Sequence, residues 1–193
     1  LSMIQQILSF LLQVVATLVG GAALLRLAMR WQRMSMANPV GRFVRALTDW
    51  LVLPLQRLLP PGNRFDAASL LAAFIVKLLH YGLLLALLGL LGAGGWASLP
   101  VLALLGVVRL AVSVMTALVI IAAILSWTQN RTLVTDVLDQ LTAPWLAPIR
   151  RIVPLVGGVD LSPLVLIVLL QVVGMALGGL QAGLAGGWTV AAA

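Results

Sequence analysis

The 193 residues contain no cysteine, no glutamate and a single histidine, His80. Without thiols the chain has no disulfide, no thiolate metal site and no cysteine nucleophile. Acids are scarce. All five are aspartates, Asp49, Asp66, Asp136, Asp139 and Asp160, and none falls inside a long apolar run. Charged residues make up 9% of the chain against 62% hydrophobic ones. A soluble domain of this size has no way to hide so much apolar surface, because a compact body needs a polar skin. Lipid is the solvent that fits. No Ser–His–Asp set, no paired carboxylates in a plausible pocket and no phosphate-cradling glycine loop stands in the sequence, so it reads as a non-enzyme without cofactor or metal.

The basic excess, a net charge of +7, sits at helix ends and in two loops. It lacks the aromatic interleaving of a nucleic-acid platform, so nucleic acid is excluded as a partner. The bilayer and its anionic lipid headgroups are the expected partners. A span needs roughly 20 mostly apolar residues, and four segments qualify: 4–29, 67–91, 99–127 and 161–184. The first is read as a permanent span, because it has neither a basic leader nor a clean small-residue cleavage site. The loop after the first span carries Arg30, Arg33, Arg42, Arg45, Arg57 and Arg64, and the loop after the third carries Arg131, Arg150 and Arg151. The positive-inside rule places both loops in the cytoplasm and both termini outside it. Trp31, Trp50, Trp96, Trp127, Trp145 and Trp188 fall near span ends or in loops, where amphipathic rings prefer to sit.

A shift of 94 positions superposes Val40 on Val134, Leu47 on Leu141, Thr48 on Thr142, Pro54 on Pro148, Arg57 on Arg151, Pro60 on Pro154 and Asp66 on Asp160. The expected fold is therefore an all-α membrane protein, one domain over 1–193. Its four transmembrane helices form two parallel helix–loop–helix repeats, about 1–93 and 94–193. Each loop contains an amphipathic helix. Val40, Phe43, Val44, Leu47 and Leu51 share one face in the first, and Val134, Val137, Leu138, Leu141 and Trp145 share the equivalent face in the second. Proline should end these helices near Pro54 and near Pro144–Pro148. One reading lays them flat at the lipid–water boundary. The other uses charge: Arg42 and Arg45 occupy the positions that Asp136 and Asp139 occupy in the other half, so the two loops could pair within a chain or between chains.

The run from Leu141 to Pro154, Leu-Thr-Ala-Pro-Trp-Leu-Ala-Pro-Ile-Arg-Arg-Ile-Val-Pro, followed by Gly157-Gly-Val-Asp-Leu-Ser-Pro163, resembles the YggT family. Asn38-Pro39, Leu47-Thr48, Pro54, Arg57, Pro60 and Asp66 look like a first copy of the same motif. Asn38-Pro39 has no counterpart in the second copy, and Gln56-Arg57 stands where that copy has Arg150-Arg151. The resemblance implies a bacterial cytoplasmic-membrane protein with plastid relatives. It also implies roles around osmotic-shock tolerance, membrane-complex assembly and division.

Within the motif, Asp66 and Asp160 stand just before spans, where aspartate caps free amides at the positive helix end. The alternative is that Arg57 and Arg151 pair with them and lock loop to span. Arg150 and Arg151 could equally hold a lipid phosphate. Lys77 and Arg109 stand near mid-bilayer with no acid at that depth, a placement that costs on the order of 2.5–3.5 kcal/mol per charge. Gln171 matches Lys77 in the repeat and Gln13 matches Arg109, so with His80 a polar layer from all four spans is expected. Snorkelling, or a neutral Lys77 hydrogen-bonded to a neighbouring span, is the bland account; a cationic site for an anion, a lipid headgroup or a partner's acid is the functional one. Gly174, Gly178, Gly179 and Gly183 form small-xxx-small spacings, for packing within the chain or for a homo-oligomer seam. The role this suggests is a scaffold or assembly factor for envelope homeostasis, with other membrane proteins as partners. The alternative is a channel or transporter for ions or small osmolytes. An open polar cavity at mid-depth favours the second; a dry bundle packed on glycine favours the first.

Overall fold

The computed structural model describes residues 3–59, 66–89, 96–127, 132–153 and 160–191, apart from the side chains of 127 and 185–191. Pro60, Pro154, Arg64 and Arg131 of the loop readings lie outside the described residues. Among those described, all regular structure is helical: α1 Met3–Trp31, α2 Pro39–Leu58, α3 Ala67–Leu87, α4 Trp96–Trp127, α5 Leu133–Arg150 and α6 Ser162–Ala191. Helices α1, α3, α4 and α6 are long and apolar enough to cross a membrane, as expected of a multi-pass membrane protein.

Local chemistry sets the helix starts. Asn38 accepts a hydrogen bond from the Gly41 amide at 2.6 Å, and Pro39 follows in the first turn, where its missing N–H costs nothing. A Cβ at Gly41 would lie 2.7 Å from the Met36 backbone, so only glycine fits where the chain doubles back. Thr132 and Thr135 close a capping box at α5.

The prolines do not end the loop helices. α2 runs through Pro54 to Leu58, and α5 runs through Pro144 and Pro148 to Arg150. All three prolines are exposed, so the carbonyls they leave unpaired are not trapped in a dry interior. Leu55 and Ile149, one residue further on, are packed inward and hold the last turn in place.

α4 is the hub, in contact with α1, α3, α5 and α6. α6 is the outermost span, with 6% of it buried against 28–33% for the other three. Leu164, Val172 and Met175 point away from the bundle, while Leu166 is buried against Val119 and Leu146. At one end of the bundle α2 and α5 lie against the spans and touch each other. Val44 from α2 joins Val137, Leu138 and Leu141 from α5, Met29 from α1 and Leu118 and Ala122 from α4 in one buried cluster. Inside each loop helix a threonine, Thr48 or Thr142, turns its hydroxyl back to the carbonyl four residues earlier, Val44 or Leu138, and so buries it satisfied.

Arg42, Arg45, Asp136 and Asp139 are exposed on the opposite faces. Among the described residues no ion pair joins these arginines to these aspartates, and Arg45 donates instead to the Met36 carbonyl at 2.9 Å. Pairing of the two loops by charge within one chain is therefore corrected. The helices meet through their apolar faces, which removes more surface from water than exposed ion pairs return. Leu141→Ala should lower stability by about 2–5 kcal/mol, whereas exposed Phe43→Ala should stay within about 0.5 kcal/mol. Thermal unfolding of the detergent-purified variants separates the two.

Candidate functional site

Two polar centres interrupt the apolar bundle. The first joins α1, α2 and α3. Arg26 and Arg30, four residues apart, share one face of α1. The Arg26 guanidinium is buried, and its Nη1 contacts the Asp49 carboxylate and the Thr48 hydroxyl of α2. Its Nε lies 3.8 Å from Asp66, and Arg30 Nη1 lies 3.1 Å from the same carboxylate.

Asp66 caps α3, accepting from the Ser69 amide at 3.3 Å and its hydroxyl at 2.6 Å, with Gln56 Nε2 at 3.5 Å. Burial works to raise its pKa, but the Ser69 hydroxyl, the Arg30 charge, the Ser69 amide and Gln56 together hold it below the ordinary value of 3.8. In the second half Asp160 accepts from Arg150 Nε at 2.8 Å and from the Ser162 amide at 2.9 Å. There too burial is outweighed, by Ser162 and Arg150, and the pKa is lowered.

Asp66 therefore pairs with Arg30 and Arg26, while Arg57 is exposed; Asp160 pairs with Arg150, while Arg151 is exposed. Arg57 and Arg151, the alternative partners, do not reach the carboxylates. One residue along a helix is a turn of about 100°, which points 57 and 151 away from the carboxylates that 56 and 150 reach. Arg26 escaped the sequence reading because it sits inside the first apolar run. Its signal was the (i, i+4) spacing to Arg30.

The second centre is a partly open cavity of about 630 Å³ between α1, α3, α4 and α6. Each helix contributes one stripe: Gln13 and Thr17; Lys77, His80, Tyr81, Leu84, Leu85 and Leu88; Leu102, Gly106, Arg109, Leu110 and Ser113; Gly178, Gln181 and Ala182. Lys77 lies ten residues into α3 and Arg109 thirteen into α4, about 15 and 20 Å along their axes. Gln13, Lys77, His80 and Arg109 thus come together.

Gln171 does not join them. It is exposed on α6, and Gln181 takes the place expected for it. Ten residues separate the two, about 15 Å along the helix and 80° around it. Gln181 accepts from Arg109 Nη1 at 3.1 Å and donates to the Tyr81 hydroxyl at 2.9 Å, so one amide ties α6 to α4 and α3. Tyr81 reaches that position because residue 106 is glycine; a Cβ there would stand 2.5 Å from the ring.

On the side towards α2 the cavity ends at packed residues. Ala23, Leu24, Ala72, Ala73, Val107 and Leu110 form a buried cluster, and a Cβ on Gly20 would stand 2.9 Å from Leu110. Of the glycine spacings on α6, Gly178 faces Arg109 and Gly174 is near Val112, whereas Gly179 and Gly183 have open space. Packing within the chain thus accounts for only part of that stripe. Among the described residues no group of three His, Cys, Asp or Glu gathers as a metal site.

Removing one partner from a buried ion pair strands the other, at about 3–5 kcal/mol. Arg26→Ala and Asp66→Asn should lose stability on that scale, and Arg57→Ala should not. The folded-state pKa of Asp66 is depressed, so its contribution is present above its ordinary value of 3.8 and fades as pH falls through the lowered one. Thermal unfolding followed from pH 7 down to pH 3 should show this acid loss in the native protein and a smaller one in Asp66→Asn, where only Asp160 still has a lowered pKa. The chain has no cysteine, so single introduced thiols report access directly. A charged, membrane-impermeant thiol reagent should modify Gln13→Cys and leave Ala73→Cys unmodified.

The profile of the CCB3/YggT family matches residues 5–88 and 101–181. The YggT protein of Escherichia coli K12 is 34% identical over 172 residues, covering 87% of each chain. A Vibrio alginolyticus relative is 34% identical over 165 residues, 85% of this chain and 89% of its own. A Haemophilus influenzae relative is 32% identical over 151 residues, 76% of this chain and 78% of its own. No solved structure matches. Relatives aligned along most of both chains, and a profile that takes in both clamped aspartates' helices and all four cavity-lining spans, make this chain a member of the CCB3/YggT family.

Proposed function

We propose that this protein is a non-enzymatic component of the bacterial cytoplasmic membrane that supports envelope homeostasis under osmotic stress by holding membrane complexes together. The observation that carries this reading is the platform at one end of the bundle. There α2 and α5 bury their apolar faces in a shared cluster and leave a basic edge, Arg42 and Arg45, and an acidic edge, Asp136 and Asp139, exposed. A rigid surface with both signs of charge suits docking, where complementary charge sets partner choice more than affinity. The arginine-rich loops favour a cytoplasmic position for this platform, with both termini on the other side. Internal duplication is supported by equivalent contacts at a 94-residue offset: Gln56 with Asp66 and Arg150 with Asp160, Thr48 with Val44 and Thr142 with Leu138.

A second reading, permeation of ions or small osmolytes, is favoured by the cavity at mid-depth, which borders a buried cluster on the side towards α2. Reversing the platform's charges (Arg42→Glu with Arg45→Glu, or Asp136→Lys with Asp139→Lys) should reduce survival of osmotic shock while membrane levels of the protein stay unchanged. Full survival in both variants would remove the platform from the function. Solute flux in proteoliposomes that disappears with Lys77→Ala/Arg109→Ala would establish permeation in its place.

A further inference from the structure

We propose that the cavity between α1, α3, α4 and α6 is a binding site for a phosphate-type oxyanion, entered from the end of the bundle remote from α2 and α5 and gripped by Lys77 and Arg109. Charge is the first argument. Two cations line one cavity at mid-depth, and no aspartate is among the lining residues. Asp66 precedes α3 by one residue, so it stands about 16 Å from Lys77 along the helix. The other four belong to α2, to α5 or to the residues just before α6. None of the five can reach the cavity, so no side-chain carboxylate of this chain neutralises its two cations.

The donors point the same way. Lys77 is 7% exposed, and among the described residues its ammonium has neither a hydrogen bond nor an ion pair. An ammonium group so placed is costly unless something accepts its three protons. Arg109 has one nitrogen held by the Gln181 amide, which fixes the guanidinium plane and leaves its remaining donors for a ligand. Tyr81 accepts from Gln181, so its own proton is free to be donated. Gln13 adds an amide from α1. These donors converge from three helices, an arrangement suited to a group with acceptor oxygens on several sides rather than to the two oxygens of a carboxylate.

Volume and lining set the size. About 630 Å³ exceeds what a bare phosphate fills and falls within the range of small-molecule sites. Leu84, Leu85, Leu88 and Leu102 form an apolar rim towards the far end, where the first methylenes of a lipid could lie. The oxyanion is therefore either a free phosphate or a phospholipid headgroup, with the same grip on the phosphoryl oxygens. The site does not depend on the docking platform, which lies at the other end of the bundle.

The test uses the full chain in phosphate-free maltoside micelles in chloride buffer. One arm titrates inorganic phosphate, and the other adds phosphatidylglycerol to the micelles; thermal unfolding is read in both. Stabilisation by phosphate alone identifies a free oxyanion, and stabilisation by phosphatidylglycerol alone identifies a headgroup. Either supports the site provided that the apparent affinity falls about tenfold or more in both Lys77→Met and Arg109→Gln, as when a charged hydrogen bond to the ligand loses its donor. Without added anion, Lys77→Met should unfold at or above the temperature of the native protein, because it removes one of the two like charges that line the cavity. A merely structural lysine would not behave so. No stabilisation by either probe, or stabilisation that survives both substitutions, overturns the proposal.

Discussion

In lipid, apolar side chains gain little by leaving their surroundings for one another, so spanning helices are joined where backbones approach closely or where polar groups find partners. Asp66 is such a point. Its carboxylate caps α3, receives Arg30 from α1 and Gln56 from α2, and lies near a second arginine, Arg26, that also holds Asp49. Three helices converge on one buried charge. The tight packing of Ala23, Ala72, Ala73 and Val52 in the same region depends on that convergence, since small residues bring backbones close but do not choose which backbones meet. A buried ion pair is weak evidence for net stability but a strong selector of geometry, because any other arrangement leaves a charge alone.

The second half meets the same need with fewer atoms. Asp160 has one arginine, Arg150, reached from the end of α5, and is less deeply buried than Asp66. α6, whose start it marks, is correspondingly the least covered span. Equivalent positions thus carry a neutral amide in one half and a guanidinium in the other, while the carboxylate that receives them is unchanged. The difference is where the charge comes from: α1 supplies it in the first half, whereas α4 has alanine and serine, Ala122 and Ser126, at the places of Arg26 and Arg30 under the 96-residue offset. α4 is free of that task and spends its polar residues, Arg109 and Ser113, further along, in the cavity.

The bundle is consequently divided along its length. The half next to α2 and α5 is dry and closed by small side chains, and the remote half opens into a polar cavity. Gly20 and Gly106 mark the transition. The first lets α1 press on Leu110, and the second makes room for Tyr81, whose hydroxyl is then within reach of Gln181. The closed end carries the platform of α2 and α5, and the open end is lined by Lys77 and Arg109, so the two features lie at opposite ends of the bundle.

Composition, hydropathy and proline/aspartate spacing determined that the chain is helical, that four helices can span a membrane, and that shorter helices lie between them; of the faces expected to be apolar, Val44, Val137, Leu138 and Leu141 are buried, whereas Phe43 and Trp145 are exposed. These follow from local periodicity and from the solvent each segment demands. That Lys77, Arg109, His80 and Gln13 share a depth was also legible, because axial rise is a property of the chain alone. What periodicity does not contain is the rotation of each helix about its axis and the choice of its neighbours. Those turned Gln171 outward and Gln181 inward, gave Asp66 to Arg30 instead of Arg57, and let packed Leu55 and Ile149 carry helices past their prolines. The rotation of a helix is settled by pairing across the bundle, so only the tertiary structure could decide it.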